Sequence, residues 1–449
     1  MDVTKKIAEF VAGAKYESMP PKALENAKAA ALDCLGVALA GSRDECAGIA
    51  AGIARKERAV EETSVWGQGF RSSALAAAFA NGVAAHALDF DHSFTMMGQP
   101  TAPILPAIFS LGESLGASGR QIIEAYAAGF ETTAKLVLAL RDTAEDGWHA
   151  PGTLGALGAA AASARLLRLD RPQIEMALGI TASMAGGVVC NFGTMTKPLH
   201  VGAAARSGIL AAQLAEAGFT ANARGLEGPT GLCAMFYRMA PDEQPLAELG
   251  ESYALATEGI RIKPYPCGGL THQAIGALLD LRAEHGITAE AVESIDVDVT
   301  RHTFERIVFR VPQNGIQGKF SMNYLLARAL IDGNVSLDAF TDEAVRDGAV
   351  LRLAERVTMK LDKELKKSNA GGRPCRVTVR LKNGDAHARA AEHAKGGPEL
   401  PMTADERRTK FTECARRALD DGALRRAMEA IEGLETLADI RPLCRMLMG

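Results

Sequence analysis

Helical periodicity constrains this chain more than any other feature of its sequence. From the start to about residue 255, apolar residues recur at steps of three and four positions, as in residues 23–35. That spacing places them on one face of an α-helix. The same pattern recurs in residues 73–86, 120–138, 153–167, 172–186 and 201–217. Many of these residues are alanines, which have the highest helix propensity and let helices pack closely. The sequence therefore predicts a large all-helical body.

A second region of the chain has the periodicity of β-strands. Apolar and polar residues alternate, as expected for strands with one buried face, in residues 292–300, 357–361 and 375–381. Asn383 and Gly384 follow the last of these segments and lead into residues 386–391. An Asn-Gly pair favours a type I′ hairpin turn, because both central residues of that turn need positive φ. We therefore predict a hairpin at this point.

Helical periodicity returns near the C-terminus, in residues 404–419 and 424–437. The simplest packing returns these two helices to the N-terminal body. We therefore predict a mainly α fold with a smaller α+β second domain. The helical domain would comprise residues 1–264 and 401–449, and the α+β domain would comprise residues 265–400.

The charge distribution and the cysteine spacing exclude several classes of protein. The net charge is −4 with acids and bases interleaved, so the basic patch of a nucleic-acid-binding protein is missing. The eight cysteines include no Cys-x-x-Cys pair, which argues against zinc ribbons, redox dithiols and a disulfide framework. No segment has the apolar length of a signal peptide or a membrane span. We expect a cytoplasmic protein that binds neither nucleic acid nor membrane.

Two lysines, Lys197 and Lys263, immediately precede prolines at breaks in the helical pattern. Proline disfavours helix at the residue before it, so each lysine should lie beside exposed backbone amides, where a cation suits an anionic ligand. His149 lies in a Gly/Pro loop before a helix whose expected cap is Thr153, and helix N-termini favour anions. Surface lysines and a structural histidine are the alternatives. Together these residues predict a pocket for a substrate with two or more carboxylates.

A G-x-S-x-G pattern at residues 112–116 matches the nucleophile elbow of hydrolases around Ser114. The elbow needs a strand before the serine, whereas residues 102–111 are helix-like. We therefore interpret the match as a helix end followed by a turn, without a catalytic role.

Two histidines and two aspartates occur within residues 86–92, and such side chains suit several divalent ions. On a helix, however, His86 and Asp89 would share one face while Asp91 points away. We therefore favour a helix that ends near Asp89 and presents carboxylates beside the following loop. The chain also lacks the glycine-rich motifs of nucleotide cofactor sites, so nucleotide cofactors lack support and we expect the chemistry to use side chains.

The chain resembles the MmgE/PrpD family over nearly its whole length. The resemblance is carried by residues 31–41, 81–91, 100–107, 152–158, 191–200 and 263–267. The family includes 2-methylcitrate dehydratase, cis-aconitate decarboxylase and iminodisuccinate epimerase. Membership implies a large helical domain with a smaller α+β domain, a homodimer, and catalysis without metal or organic cofactor. The family's functional positions match Asp89, Ser93, Gln99, His149, Lys197, Lys263 and Tyr324.

Two positions depart from the family pattern. Relatives commonly carry histidine at the position of Gln99, and glutamine can orient a carboxylate but cannot transfer a proton. The additional histidine of the decarboxylase corresponds to Gly268. The resemblance therefore implies substrate-binding positions at Ser93, Gln99 and Gly268, and it puts decarboxylation of cis-aconitate in doubt.

The family resemblance implies chemistry beside a carboxylate, and we expect a hydro-lyase that removes water from a hydroxylated di- or tricarboxylate resembling 2-methylcitrate. Lys197 and Lys263 would stabilise negative charge that develops on the carboxylate, and His149 would transfer the proton. Tyr324 would donate a proton or orient the substrate, unless it is a core aromatic residue. Asp89 would orient a lysine or bind a substrate hydroxyl. The alternatives are an epimerase of the iminodisuccinate type, a decarboxylase of the cis-aconitate type and, least favoured, a non-catalytic polyacid-binding protein.

Overall fold

The chain forms two compact units in a computed structural model that describes residues 2–94, 98–140, 147–366 and 373–449. Unit 1 comprises Met1–Arg261 together with Thr403–Gly449, and unit 2 comprises Ile262–Met402. The protein is mainly α-helical with a smaller α+β region, which confirms the fold class predicted from the periodicity.

Helices account for most of the secondary structure. In chain order they are α1 (Val3–Gly13), α2 (Pro21–Gly41), α3 (Glu45–Lys56), α4 (Ala74–His86), α5 (Thr101–Leu115), α6 (Gly119–Ala139), α7 (Ala150–Leu166), α8 (Arg171–Met184), α9 (Thr196–Glu216), α10 (Glu243–Ala247), α11 (Ala254–Thr257), α12 (His272–His285), α13 (Arg301–Arg306), α14 (Gly315–Gly318), α15 (Met322–Asp332), α16 (Gly348–Ala354), α17 (Ala404–Ala415), α18 (Asp421–Glu432) and α19 (Arg441–Leu447). Helices α12 to α16 belong to unit 2, and the others belong to unit 1.

Small residues let the central helices of unit 1 approach each other closely. A Cβ atom on Gly158 of α7 would lie 2.0 Å from Oγ1 of Thr133 in α6. A Cβ atom on Gly202 of α9 would lie 2.5 Å from the carbonyl oxygen of Phe79 in α4. Because no side chain fits at either crossing, backbone packs against backbone there. These contacts hold α7 against α6 and α9 against α4. The candidate site residues lie at the starts of α7 and α9 and after the end of α4.

Unit 1 also contains a short two-stranded antiparallel ribbon, formed by β1 (Thr63–Val65) and β2 (Phe70–Ser72). The prediction of an all-helical body was therefore wrong at this point. Each strand has only three residues, so a period of two has no room to become visible in the sequence. The ribbon is anchored to α5, because Glu113 accepts hydrogen bonds from the backbone N and the Oγ of Ser64, at 2.7 and 2.9 Å.

Unit 2 is built on a four-stranded sheet. Its strands are β3 (Val292–Val299), β4 (Val357–Leu361), β5 (Cys375–Leu381) and β6 (Ala386–Ala391). Their order across the sheet is β4-β3-β5-β6, with β3 and β4 parallel and the other pairs antiparallel. Alternate residues of β3 are buried, including Ile295 and Val297, and they form a core with residues of α12 and α15. The strands predicted from alternation are confirmed.

The hairpin between β5 and β6 is also confirmed, but its turn type is not. Gly384 has a φ of 95°, whereas Asn383 has no positive φ. The backbone N of Gly384 donates to the carbonyl oxygen of Leu381 at 3.0 Å, and the N of Leu381 donates to that of Asp385 at 2.8 Å. A single left-handed glycine fits a type I turn with a bulge rather than a type I′ turn. The Asn383 side chain instead accepts a hydrogen bond from the backbone N of Asp385 at 3.1 Å.

Candidate active site

Asp89 and Lys197 form an ion pair in unit 1, with Nζ of the lysine 2.9 Å from Oδ1 of the aspartate. The same oxygen accepts a hydrogen bond from Nε2 of Gln99 at 3.2 Å. Asp89 follows the end of α4 and has a φ of 52°, a left-handed conformation that is uncommon outside glycine and marks strained positions in functional loops. The Lys197 side chain is 18% exposed and the Asp89 side chain is 21% exposed. A ligand can therefore reach this pair of charges.

Lys197 lies in the first turn of α9, one residue after the helix begins at Thr196. The break in the helical pattern thus lies before Thr196, and Lys197 itself is helical although a proline follows it. The ammonium group also lies 5.5 Å from the ring centroid of Phe192, whose side chain is exposed. A cation and the N-terminal end of a long helix both favour an anion at this position.

His149 immediately precedes α7, and its side chain is buried. Its backbone N donates to the carbonyl oxygen of Gly187 at 2.9 Å. Thr153 is not the cap that we expected, because the helix begins at Ala150 and Pro151 occupies its first turn, a position that proline favours. The Thr153 hydroxyl instead shares a 2.6 Å hydrogen bond with the hydroxyl of Tyr237.

Two other imidazoles and one phenyl ring cluster around His149. Nδ1 of His149 lies 3.2 Å from Nδ1 of His200. The ring centroid of His149 lies 5.0 Å from that of Phe192, 5.3 Å from that of His200 and 5.4 Å from that of His86. The sequence interpretation missed His200, although it lies three residues after Lys197 on α9 and so on the same side of the helix.

The electrostatic surroundings keep the His149 imidazole neutral. Burial lowers its pKa to about 2, and the electrostatic effects of His86, Lys197 and His200 act in the same direction, while Asp89 opposes them. Burial, His86 and Lys197 also lower the pKa of His200. Both rings are therefore uncharged at neutral pH, and in their Nδ1–Nδ1 contact one ring donates and the other accepts.

His86 pairs with Asp91, and this pairing contradicts our prediction. We expected His86 and Asp89 on one helical face with Asp91 pointing away. Helix α4 ends at His86 itself, so the next residues leave the helix and Asp91 returns to the ring. Both carboxylate oxygens of Asp91 lie 3.1 Å from Nδ1 of His86.

The contacts of Ser93 and Ser114 are local, and a substrate-binding role for Ser93 stays a prediction. The backbone of Ser93 forms an isolated antiparallel bridge with Arg261, with hydrogen bonds of 3.0 and 2.8 Å. Ser114 lies in the last turn of α5, where its Oγ donates to the carbonyl oxygen of Leu111 at 2.8 Å. The following Gly116 is left-handed, with a φ of 67°. The structure thus confirms a helix end and a turn at the G-x-S-x-G pattern.

Two family models match most of the chain. The model of the MmgE/PrpD N-terminal domain matches residues 5–244, and that of the MmgE/PrpD C-terminal domain matches residues 265–436. The chain belongs to the MmgE/PrpD family. Membership confirms the resemblance found in the sequence motifs.

Several cis-aconitate decarboxylases are similar to this member of the MmgE/PrpD family along the whole chain. The protein from Mus musculus is 27% identical, with 100% of this chain and 93% of the relative covered. The protein from Homo sapiens is also 27% identical, over 100% and 95%. The protein from Aspergillus terreus is 29% identical, over 99% and 96%. These relatives support an enzyme that acts on a small molecule.

Gly268, in unit 2, lies where the sequence comparison within the MmgE/PrpD family expected a histidine. A Cβ atom at this position would lie 2.9 Å from Cδ1 of Phe320 and 3.3 Å from the carbonyl oxygen of Lys319. The backbone N of Gly268 donates to that same carbonyl at 2.9 Å. Phe320 therefore fills space that a larger side chain would need. Lys263, five residues earlier, is partly buried in the segment before α12.

Tyr324 is buried in unit 2, in the first turn of α15. Its hydroxyl donates to the carbonyl oxygen of Ala339 and accepts from Nε of Arg328 at 3.0 Å. Burial raises the pKa of this hydroxyl, although Arg328 opposes the shift. This is the arrangement of a core aromatic residue, the alternative considered above, and a chemical role for Tyr324 stays a prediction.

The described residues contain no helix that is long and apolar enough to cross a membrane. Within the same ranges, no three histidine, cysteine, aspartate or glutamate side chains are grouped so that they could hold a metal ion.

Proposed function

We propose that this protein is a cofactor-independent lyase that acts on a hydroxylated di- or tricarboxylate. The reaction that we favour is the loss of water from an acid resembling 2-methylcitrate. The observation that supports the proposal is the Lys197–Asp89 ion pair at the start of α9, together with the buried, neutral imidazole of His149 whose pKa Lys197 and Asp89 both affect. Such a pair of groups can bind a carboxylate and take a proton from the carbon beside it.

Lys197 is the proposed carboxylate-binding group. Its ammonium and the N-terminal end of α9 both favour negative charge, and Asp89 keeps the ammonium in place while the site is empty. A substrate carboxylate would compete with Asp89 for the lysine. The amide of Gln99 would orient the same carboxylate by hydrogen bonding, which needs no change in its protonation. A second cationic role for Lys263, in unit 2, stays a prediction from the sequence.

His149 is the proposed base. In the free protein its pKa of about 2 leaves the ring neutral and with little affinity for a proton. A bound polycarboxylate would bring negative charge and neutralise Lys197, and both effects raise the pKa of an imidazole. Proton affinity would thus increase only when substrate is present. The proton next to the carboxylate would pass to His149 while negative charge develops beside Lys197. The electron pair of the former C–H bond would then form the alkene as the C–O bond breaks, and His149 would return its proton to the β-hydroxyl, which leaves as water.

Decarboxylation is the second candidate, because the relatives reported above are cis-aconitate decarboxylases. In that reaction the bond between carbon and carboxylate breaks, carbon dioxide leaves and the carbon must receive a proton. His149 could supply that proton only if it is protonated when substrate binds, and the amide of Gln99 cannot supply one. We place decarboxylation second because the sequence departs from the family pattern at Gln99 and Gly268.

Proton and carbon NMR in deuterated buffer tests the proposal with a panel of hydroxylated and unsaturated di- and tricarboxylates. An alkene formed from a hydroxy acid with all carboxylates retained would support dehydration. Loss of a carboxylate signal would instead identify the decarboxylase. Deuterium uptake without an alkene would point to an epimerase, and no change with any acid would contradict the lyase proposal.

Replacement of the proposed binding residue provides the matched test. Lys197→Met should lower kcat/KM on the order of 100-fold, because charge that develops in the transition state loses its stabilising cation. Lys22→Met is the control, since Lys22 forms an exposed ion pair with Glu25 elsewhere in unit 1 and should leave kcat/KM unchanged. Equal activities for the two variants would remove Lys197 from the mechanism.

A further inference from the structure

His86 and Asp91 form a buried pair that the proposed reaction does not yet use. Both side chains are only 1% exposed, and Nδ1 of His86 lies 3.1 Å from each carboxylate oxygen. A carboxylate can only accept hydrogen bonds, so the proton of the imidazole must be on Nδ1. This arrangement fixes the tautomer and the orientation of the ring, as carboxylate partners do for functional histidines.

The second nitrogen of His86 has no hydrogen-bond partner in the part of the chain that the structure describes. Nε2 is buried and unpaired, although buried polar atoms are nearly always hydrogen-bonded. A second buried pair in unit 1 shows the contrast. His92 places Nδ1 2.9 Å from Asp33 and Nε2 2.6 Å from Oγ1 of Thr101, so both of its nitrogens are satisfied. A purely structural histidine would have a complete set of partners like that of His92.

The ring of His86 lies against the proposed base. Its centroid is 5.4 Å from that of His149, and the two ring planes are inclined by 33°. The other ionisable groups that act on His149 are Lys197 and His200 in α9, and Asp89 in the loop after α4. Asp91 also raises the pKa of the Cys34 thiol in α2, although burial is the larger cause of that rise. His86 is therefore the one member of this group that a buried carboxylate holds in a fixed orientation against His149.

We propose that Asp91 and His86 form a positioning dyad, which orients the His149 ring and keeps it unprotonated until a polycarboxylate binds. The proposal rests on the proposed function in one respect, since it takes His149 as the proton acceptor. In this arrangement the Asp91 carboxylate holds the His86 ring in place, and His86 lowers the pKa of the adjacent His149 ring. The dyad itself exchanges no proton with substrate.

NMR of the wild-type protein labelled with 15N-histidine tests the tautomer without any substitution. Long-range proton–nitrogen correlations distinguish the two tautomers of each ring, and the His86→Asn spectrum identifies the His86 signals by their absence. We expect His86 to carry a proton on Nδ1 at neutral pH. A proton on Nε2 with a bare Nδ1 would overturn the dyad, because Asp91 could not then accept a hydrogen bond from the ring.

His86→Asn provides the second test, because asparagine can keep a hydrogen bond to Asp91 while it removes the ring. With tricarballylate bound as a non-reactive probe, the His149 titration should move to higher pH by roughly one unit relative to wild type, since His86 lowers the pKa of His149. In turnover experiments the acid limb of kcat should move in the same direction, with KM little changed. A variant that folds normally with an unchanged His149 titration would overturn the proposal.

Glu113→Gln is the matched control. It converts another buried carboxylate, which accepts two hydrogen bonds from Ser64, into an amide away from the histidine cluster. This variant should lose stability without a change in the His149 titration. Failure of the dyad and failure of the proposed function are distinguishable: a titration shift in a protein without turnover supports only the dyad, whereas turnover without a shift supports only the lyase.

Discussion

His149 shows how burial and charge combine at a single residue. It lies at the junction of a loop and α7, where backbone hydrogen bonds to Gly187 fix the chain and Pro151 sets the start of the helix. Burial and neighbouring positive charge then act in the same direction on its pKa. A lone histidine in a sequence does not carry this information, because neither its burial nor its neighbours can be read from local spacing.

The depressed pKa of His149 predicts a pH-dependent contribution to stability. The folded pKa is about 2 and the ordinary value is 6.5, so as pH falls below 6.5 the unfolded chain binds a proton that the folded protein does not. Stability from this group is therefore present above pH 6.5 and is lost progressively as pH falls toward 2. Between pH 7 and pH 5 the loss should be about 2 kcal/mol.

Urea unfolding of wild type and His149→Asn at both pH values checks this expectation. Asparagine does not titrate, and it is well tolerated at a helix N-terminus. The free energy of unfolding of wild type should fall by about 2 kcal/mol more than that of the variant between pH 7 and pH 5. Parallel behaviour of the two proteins would mean that His149 is protonated in the fold.

At the scale of elements, glycine determines how closely the helices of unit 1 can pack. Helices α6 and α7 cross where a Cβ atom on Gly158 would lie 2.0 Å from Oγ1 of Thr133 and 2.8 Å from the carbonyl oxygen of Gly129. Since α7 begins next to His149, the depth of this crossing also sets the position of the candidate site.

Gly158→Ala should therefore destabilise the protein by about 1–3 kcal/mol, the usual cost of overpacking. Gly52→Ala is the matched control, because Gly52 lies in the middle of α3 and a Cβ atom there would meet nothing within 4 Å. That change should stabilise the protein by about 0.5–1 kcal/mol, since alanine is the better helix former. Thermal and chemical unfolding of both variants measures the difference, and equal effects would contradict a tight crossing.

At the scale of the whole molecule, the C-terminal helices complete unit 1. Lys410 of α17 is buried, and its Nζ lies 2.5 Å from Oδ1 of Asp33 in α2. It also donates to the carbonyl oxygen of Phe90 at 2.9 Å. Burial favours the protonated form of Asp33, but Lys410 and His92 outweigh it and lower the pKa of that carboxyl. The far end of the chain thus holds the segment that connects Asp89 with Asp91.

Lys410→Met should cost about 3–5 kcal/mol of unfolding free energy, because it leaves a buried carboxylate without its cation. The double variant Lys410→Met with Asp33→Asn should recover part of that loss, since the stranded charge is then absent. Chemical denaturation of the three proteins provides the comparison. A single variant as stable as wild type would show that the ion pair contributes little to the fold.

The amino-acid sequence by itself determined the secondary structure and the family of this protein. Helical spacing predicted the segments that became α2, α4, α6, α7, α8 and α9, and alternation predicted the strands of unit 2. These patterns depend on the stereochemistry of a few neighbouring residues. The predictions were wrong where such local patterns are too short or ambiguous, as at the three-residue strands β1 and β2 and the cap assigned to Thr153.

Only the tertiary structure decided which side chains meet. The sequence motifs indicated Asp89, His149 and Lys197 separately, but the ion pair and the cluster of imidazoles exist because α4, α7 and α9 pack together. His86 meets Asp91 because helix α4 ends at His86. Asp33 meets Lys410 because helix α17, near the C-terminus, packs against α2. The physical reason is that local periodicity sets which face of an element is buried, whereas contacts between distant residues depend on packing that no short stretch of sequence encodes.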